Sequence, residues 1–116
     1  MVKRILIVDD DERDLMSMES VLQSAGYEVV VVADGAKAFD KFTEESFSLV
    51  IIDIKMPTLS GYDLSRLIKG QSGNETKVVY CSIVSEREVD MEGVDGFIQK
   101  PFSSNSFLSK VKNIIK

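Results

Sequence analysis

Five short apolar runs punctuate the chain: Ile5-Leu6-Ile7-Val8, Val29-Val30-Val31-Val32, Leu49-Val50-Ile51-Ile52, Val78-Val79-Tyr80-Cys81 and Phe97-Ile98. They are continuous rather than alternating, and mostly β-branched. That is the pattern of strands buried on both faces, as in a parallel sheet covered by helices. The stretches between the first four runs are long enough for crossover helices, and they carry helical spacing. Leu15, Met18, Leu22 and Ala25 predict a first helix that Gly26 stops. Ala38, Phe39 and Phe42 predict a short second helix after Asp34-Gly35. Leu64, Leu67 and Ile68 predict a third, before the turn-rich Gly70-Gln71-Ser72-Gly73-Asn74. Phe107, Leu108, Val111, Ile114 and Ile115 predict the last helix, with Ser103 or Ser104 as its N-cap.

The stretch from Val84 to Asp95 is different. Glu86, Glu88, Asp90, Glu92 and Asp95 crowd it, and only Val84, Val89, Met91 and Val94 are apolar. Any fourth helix there is expected to be short or irregular. The order is then β-α-β-α-β-α-β-(α)-β-α, which right-handed crossovers fold into an open α/β sandwich. We expect a flavodoxin-like, five-stranded parallel sheet of order 2-1-3-4-5 with helices on both faces. No repeat, low-complexity tract or linker interrupts the pattern, so residues 1–116 are read as a single domain.

Composition narrows the chemistry. The 116 residues include 19 acids, 14 Lys+Arg, one Cys, no Trp and no His, for a net charge of −5. Without His there is no Ser-His-Asp or Cys-His catalysis and no His-ligated zinc or haem. One Cys allows no internal disulfide and fits a reducing compartment. The negative charge argues against nucleic-acid binding by the domain's own surface. Met1-Val2-Lys3-Arg4 before Ile5-Leu6-Ile7-Val8 resembles the start of a signal peptide, but Asp9 ends the apolar run after four residues, against the roughly 7–15 such a peptide needs. A cytoplasmic protein with no membrane segment is expected. Its chemistry has to come from carboxylates, hydroxyls, lysines and a hard metal ion.

In open parallel sheets ligands bind beyond the carboxyl ends of the strands, where strand order reverses. Strand 1 runs into Asp9-Asp10-Asp11, strand 3 into Asp53, strand 4 into Ser82 and strand 5 into Lys100-Pro101. Taken singly, an Asp after a strand is more often a helix cap or a turn residue. Asp11 is read as such a cap, and Glu12 and Asp14 as first-turn acids favoured by the helix dipole. Taken together, Asp9, Asp10 and Asp53 form a like-charged cluster that is costly until a cation or a proton neutralises it. Mg²⁺ is suited to that task. Lys100 offers a compact positive charge for a phosphoryl oxygen, and Ser82 a hydroxyl. Three carboxylates against one ammonium leave the pocket at −2, which one Mg²⁺ cancels. Metal, lysine, hydroxyl and a carboxylate nucleophile are the parts needed for phosphoryl transfer to an aspartate.

With these residues in place the sequence resembles the receiver domains of two-component response regulators, of the chemotaxis-regulator type. The resemblance rests on Ile5-Leu6-Ile7-Val8-Asp9-Asp10-Asp11, on Leu49-Val50-Ile51-Ile52-Asp53-Ile54-Lys55-Met56-Pro57 with Gly61, on Val78-Val79-Tyr80-Cys81-Ser82, and on Gly96-Phe97-Ile98-Gln99-Lys100-Pro101-Phe102. It covers essentially the whole chain. It implies a switch rather than an enzyme with turnover, in which Asp53 takes a phosphoryl group from a phosphohistidine of a sensor kinase or phosphotransfer protein. It implies Asp10, Asp53 and the backbone carbonyl of Lys55 as Mg²⁺ ligands, Asp9 acting through water, and Mn²⁺ as a possible substitute. Lys100 and the Ser82 hydroxyl would meet the phosphoryl group. Phe97 takes the aromatic switch position, whose ring rotates inward on activation. The readout would be the face formed by the fourth helix, the fifth strand and the last helix, received by a downstream effector protein or a fused output domain. A stand-alone receiver and the receiver of a longer chain both fit the sequence.

Three features depart from the family pattern. Ile83 follows Ser82 where a small residue is usual, so access of water or a small phosphodonor is expected to be restricted. Lys55 and Val84 flank the site where polar groups are common, and Lys55 either reaches over the site or lies in solvent. Only fourteen residues separate Ser82 from Phe97, which shortens the output region. The competing reading is a pseudo-receiver that works as a phosphorylation-independent interaction module. A haloacid-dehalogenase-type phosphatase needs an Asp two residues after the nucleophile, and that position is Lys55. A flavin or dinucleotide domain needs a Gly-rich loop where acids follow strand 1. Elsewhere, Cys81 is read as an inert core thiol, Met16, Met18 and Met91 as gap-fillers or partial surface, and Tyr62 as a helix-start packing residue.

Overall fold

The computed structural model of the chain describes residues 2–73 and 75–116, so Met1 and the Asn74 of the turn-rich segment lie outside the described residues. The strands are β1 (Arg4–Val8), β2 (Glu28–Val32), β3 (Leu49–Ile52), β4 (Lys77–Ser82) and β5 (Gly96–Gln99). The helices are α1 (Glu12–Ser24), α2 (Gly35–Glu44), α3 (Gly61–Ser72) and α4 (Ser104–Ile115). The sheet has order β2-β1-β3-β4-β5 with every pair parallel, as expected.

Each strand feeds two cores because successive side chains point to opposite faces. Leu6, Val8, Val50, Ile52, Val78 and Tyr80 pack with Ala38 and Phe42 of α2 and Leu64 and Ile68 of α3. Ile5, Ile7, Leu49, Ile51, Val79, Cys81 and Ile98 pack with Leu15, Met18 and Leu22 of α1 and Phe107, Val111 and Ile115 of α4. Full burial of each large aliphatic side chain contributes about 1.5–3 kcal/mol, so the two layers together dominate stability. Double-sided burial holds for the three central strands. β2 and β5 are the edge strands; Val29–Val32 of β2 are only half-buried, whereas Phe97 and Ile98 of β5 are buried.

Each helix begins where a short polar side chain satisfies its free N–H groups. Asp11, Asp34, Ser60 and Ser103 accept from the backbone N–H of Asp14, Lys37, Asp63 and Ser106 respectively. Each such cap contributes about 1 kcal/mol. Gly26, at φ 95°, ends α1 in the left-handed region as its residue type suggested. Two residues assigned to apolar helix faces are exposed instead. Ala25 is the exposed C-cap of α1. Leu67 of α3 is 42% exposed, whereas Ser65 of the same helix is buried. Among the described residues no helix is long and apolar enough to cross a membrane.

Between β4 and β5 the chain makes one 3-10 turn, Glu86–Glu88, where the fourth helix was expected to be short or irregular. The reason is local. Val89, Met91 and Val94 are spaced +2 and +3, so they make no helical stripe. Asp90 accepts from the N–H of Glu92 and Gly93 adopts φ 79°, which turn the chain instead. Val89 is still buried, and Met91 and Val94 pack against the same core.

Candidate functional site

Backbone bonds bring the strand ends level. The N–H of Asp53 donates to Val8 O (2.8 Å), and the N–H of Lys100 donates to Ser82 O (2.8 Å). Val8 pairs with Ile52 and Ser82 with Gln99 in register, so Asp9, Asp53 and Lys100 each stand one step beyond a paired residue at the same edge. The β3–α3 loop is held by close packing. Gly61 N–H donates to Ile54 O at 2.7 Å, and a Cβ on Gly61 would lie 2.5 Å from Asp53 O. Only glycine permits that approach. Thr58, at φ 68°, straps the loop to α2 by donating to Asp34 Oδ1 and accepting from the N–H of Ala36. Behind Lys100, Phe102 stacks on Phe107 with ring centroids 4.8 Å apart.

The side chains converge on a cleft of about 280 Å³ bounded by Asp10, Asp11, Asp14, Asp53, Lys55, Ser82, Ile83, Val84 and Lys100. Asp9 is fully buried beside it, Asp53 is half-buried, and Asp10 is exposed. One carboxylate oxygen from each of Asp9, Asp10 and Asp53 lies within 4.8 Å of the others, so the three could hold a metal ion. This oxygen-only donor set on a partly open edge suits a hard cation that keeps some of its water. Lys100 is buried to 8% exposure. Its Nζ lies 2.6 Å from Asp9 Oδ2, 2.9 Å from Asp14 Oδ2 and 4.0 Å from Asp53 Oδ2. The buried Ser82 hydroxyl accepts from the N–H of Val84. Lys55 is exposed and lines the rim of the cleft. Ile83 is also at the rim and 77% exposed. Phe97 is 5% exposed and already packed inward among Val89, Tyr80 and their neighbours.

The electrostatics follow from burial. Desolvation pushes the Asp53 carboxyl up to about 6, against the pull of nearby Lys100, and Asp9 adds like-charge repulsion. Desolvation also lifts Asp9 above the usual carboxylate range, while the Lys100 ammonium and the Asp11 N–H oppose the shift. For Lys100 burial acts to lower the value, but the hydrogen bonds to Asp9 and Asp14 override it and hold the ammonium charged. Cys81 lies on the other face of β4, and burial pushes its thiol up to about 12, consistent with an inert core residue. Tyr62 packs edge-on against Tyr80 at 5.5 Å and accepts from the N–H of Asp90, a packing role as expected.

Asp14 stands in the first turn of α1 as expected, and it also pairs with Lys100 at the cleft. Four carboxylates therefore face one ammonium, and the pocket is more negative than −2. A larger cleft of about 580 Å³ opens at the opposite edge, between Arg4, Phe42, Phe47 and Thr76. Its lining cation, Arg4, is taken up by Glu28 and Glu45 and lies over the Phe47 ring.

The open α/β sheet carries an acidic cleft at its switch point with the buried Lys100 reaching into it from beyond β5, and comparison with known proteins places this arrangement in a family. Residues 5–112 match the response regulator receiver domain. The chain is 32% identical over 117 residues to the regulatory protein VanRB of Enterococcus faecalis, covering 97% of this chain and 52% of that protein. It is 33% identical over 120 residues to the chemotaxis protein CheY of Bacillus subtilis, covering 99% of each. The response regulator TrrA of Thermotoga maritima, solved in complex with Mg²⁺-BeF, superposes with TM-score 0.89 at 30% identity, covering 97% of this chain and 99% of that one. The chain belongs to the response regulator receiver domain family of two-component systems. It spans about half the length of VanRB and nearly all of CheY.

The raised Asp53 value has a stability consequence. Its folded value near 6 exceeds the ordinary 3.8, so the ionised carboxylate costs stability above about pH 6 and nothing below about pH 4. In metal-free buffer at about pH 8, Asp53→Asn should stabilise the fold by about 1–3 kcal/mol in urea titrations, and the gain should vanish near pH 4. A gain that is equal at both pH values would contradict the assignment of that cost to ionised Asp53.

Proposed function

We propose that this receiver domain is a phosphoacceptor switch, in which Asp53 takes a phosphoryl group from a phosphohistidine of a sensor kinase or phosphotransfer protein. The observation that carries the reading is the Lys100 ammonium, buried beside Asp9 and 4.0 Å from Asp53 on the side open to solvent. A carboxylate oxygen of Asp53 attacks phosphorus as the P–N bond breaks. The imidazole nitrogen keeps that electron pair and picks up a proton from solvent. The product is an acyl phosphate on Asp53 and a neutral histidine on the donor. Asp10, Asp53 and the Lys55 carbonyl would hold Mg²⁺, or Mn²⁺ in its place, with Asp9 acting through water. The bound ion supplies counter-charge for the clustered carboxylates and the phosphoryl oxygens.

Around that step the chain's own residues do the positioning. Lys100 donates to a phosphoryl oxygen, and the Ser82 hydroxyl leaves its bond to Val84 to do the same. That movement beside Phe97 is the link from phosphorylation to the β5 surface. With a single 3-10 turn in place of a fourth helix, the partner surface centres on β5, α4 and the loop that carries Ile83. A downstream effector or a fused output domain receives it, as the transcriptional regulators among the relatives suggest. The domain, taken as residues 1–116, acts in the cytoplasm and touches neither nucleic acid nor membrane directly.

Incubation with acetyl phosphate and Mg²⁺ should add one phosphoryl group to the chain, seen by intact mass, and none to Asp53→Asn. No Asp53-dependent addition, even with a cognate kinase, would leave the phosphorylation-independent interaction module instead. Ile83, at the mouth of the cleft, shields the acyl phosphate from water. Ile83→Ala should therefore shorten the lifetime of phospho-Asp53 by about two- to tenfold, on the scale of losing part of one barrier to attack. An unchanged decay rate would remove Ile83 from this role.

A further inference from the structure

Asp14 holds Lys100 more tightly than Asp53 does. Its Oδ2 lies 2.9 Å from Nζ, against 4.0 Å for Asp53. It is not a free surface acid, because its backbone N–H is tied to the Asp11 side chain and the N–H of Asp11 is tied to Asp9 Oδ1. The Lys100 ammonium donates to Asp9 and is ion-paired with Asp14. The two partners differ in burial. Asp9 has almost no exposed side-chain surface, whereas Asp14 keeps 35%. Losing its bond to Lys100 would strand Asp9 as a buried charge, while Asp14 can turn to water. Asp14 also lies outside the group of three carboxylates that could hold a metal.

We propose that Asp14 is a positioning residue that holds the Lys100 ammonium on the α1 side of the site and yields it when a phosphoryl group occupies Asp53. The inference rests on the phosphoacceptor reading and adds to it a competitor for the lysine. A dianionic group on Asp53 needs Lys100 and is repelled by the Asp14 carboxylate. Asp14 therefore opposes the phosphorylated state twice, by retaining a donor and by its charge. Neutral side chains at this position release both, so the natural chain sits further toward its unphosphorylated form than the rest of its site requires.

The test uses beryllofluoride with Mg²⁺ as the phosphoryl probe, titrated calorimetrically into the natural chain, Asp14→Asn, Asp14→Ser and Asp14→Glu, with Asp53→Asn as blank. Asp14→Asn and Asp14→Ser should bind the probe about three- to tenfold more tightly, the range expected for removing one partly screened charge. That gain should shrink as salt is raised to about 1 M, which a purely structural effect would not do. Asp14→Glu restores the carboxylate and should return the affinity toward that of the natural chain. Equal or weaker binding by both neutral variants, with the natural chain binding normally, would overturn the role of Asp14. A folded natural chain that binds no beryllofluoride would instead overturn the phosphoacceptor reading on which this inference stands.

Discussion

The ion pair between Lys100 and Asp9 is the constraint on which the site depends. Asp9 is wholly buried and Lys100 nearly so, and the two charges lie 2.6 Å apart across the sheet edge. Burying either charge alone would be strongly unfavourable. Paired, they let a carboxylate lie buried at the end of β1, with the exposed Asp10 and half-buried Asp53 beside it. The pair also joins the ends of β1 and the segment after β5, which are 91 residues apart in the chain. The remaining negative charge is not neutralised internally. That imbalance suits the cleft to a divalent cation and adds to the burial that raises Asp53.

Strand order is what makes such a pair possible. In the order β2-β1-β3-β4-β5 the chain steps outward from β1 in both directions, which leaves a crevice at the carboxyl edge between β1 and β3. Asp9 and Asp53 flank that opening. Ser82 and Lys100 extend the polar edge along β4 and β5. The two cores on the faces of the sheet fix these positions to within the tolerance of a hydrogen bond, while the loops above them stay free to vary. The β4–β5 connection shows that freedom, since it carries only the 3-10 turn Glu86–Glu88 while the strand ends on either side stay in register.

Much of this was legible in the sequence, for physical reasons. Continuous β-branched runs have few alternatives to a doubly covered sheet, and polar residues immediately after them fall at the carboxyl edge by construction. Asp9, Asp10, Asp53, Ser82 and Lys100 were found that way. Asp14 was missed because its partner is 86 positions away and its own position suits an ordinary first-turn acid. Thr58 left no trace, since its strap to Asp34 and Ala36 depends on a left-handed backbone that the sequence does not announce. Leu67 was misassigned because helical spacing tolerates a neighbouring face, and it is Ser65 of the same helix that is buried. β2 lies half-buried at one edge of the sheet, a position that only the strand order reveals.

The dependence of the cleft on Lys100 can be measured directly by comparing the unfolding free energy of the natural chain and Lys100→Met in the presence of a chelator and then of Mg²⁺. Without metal, loss of the ammonium should cost about 3–5 kcal/mol, the scale for stranding one buried charge. Mg²⁺ should then recover more stability in Lys100→Met than it adds to the natural chain, because it replaces part of the missing positive charge. Equal stability of the two chains in chelator would contradict a site organised around the Lys100–Asp9 pair.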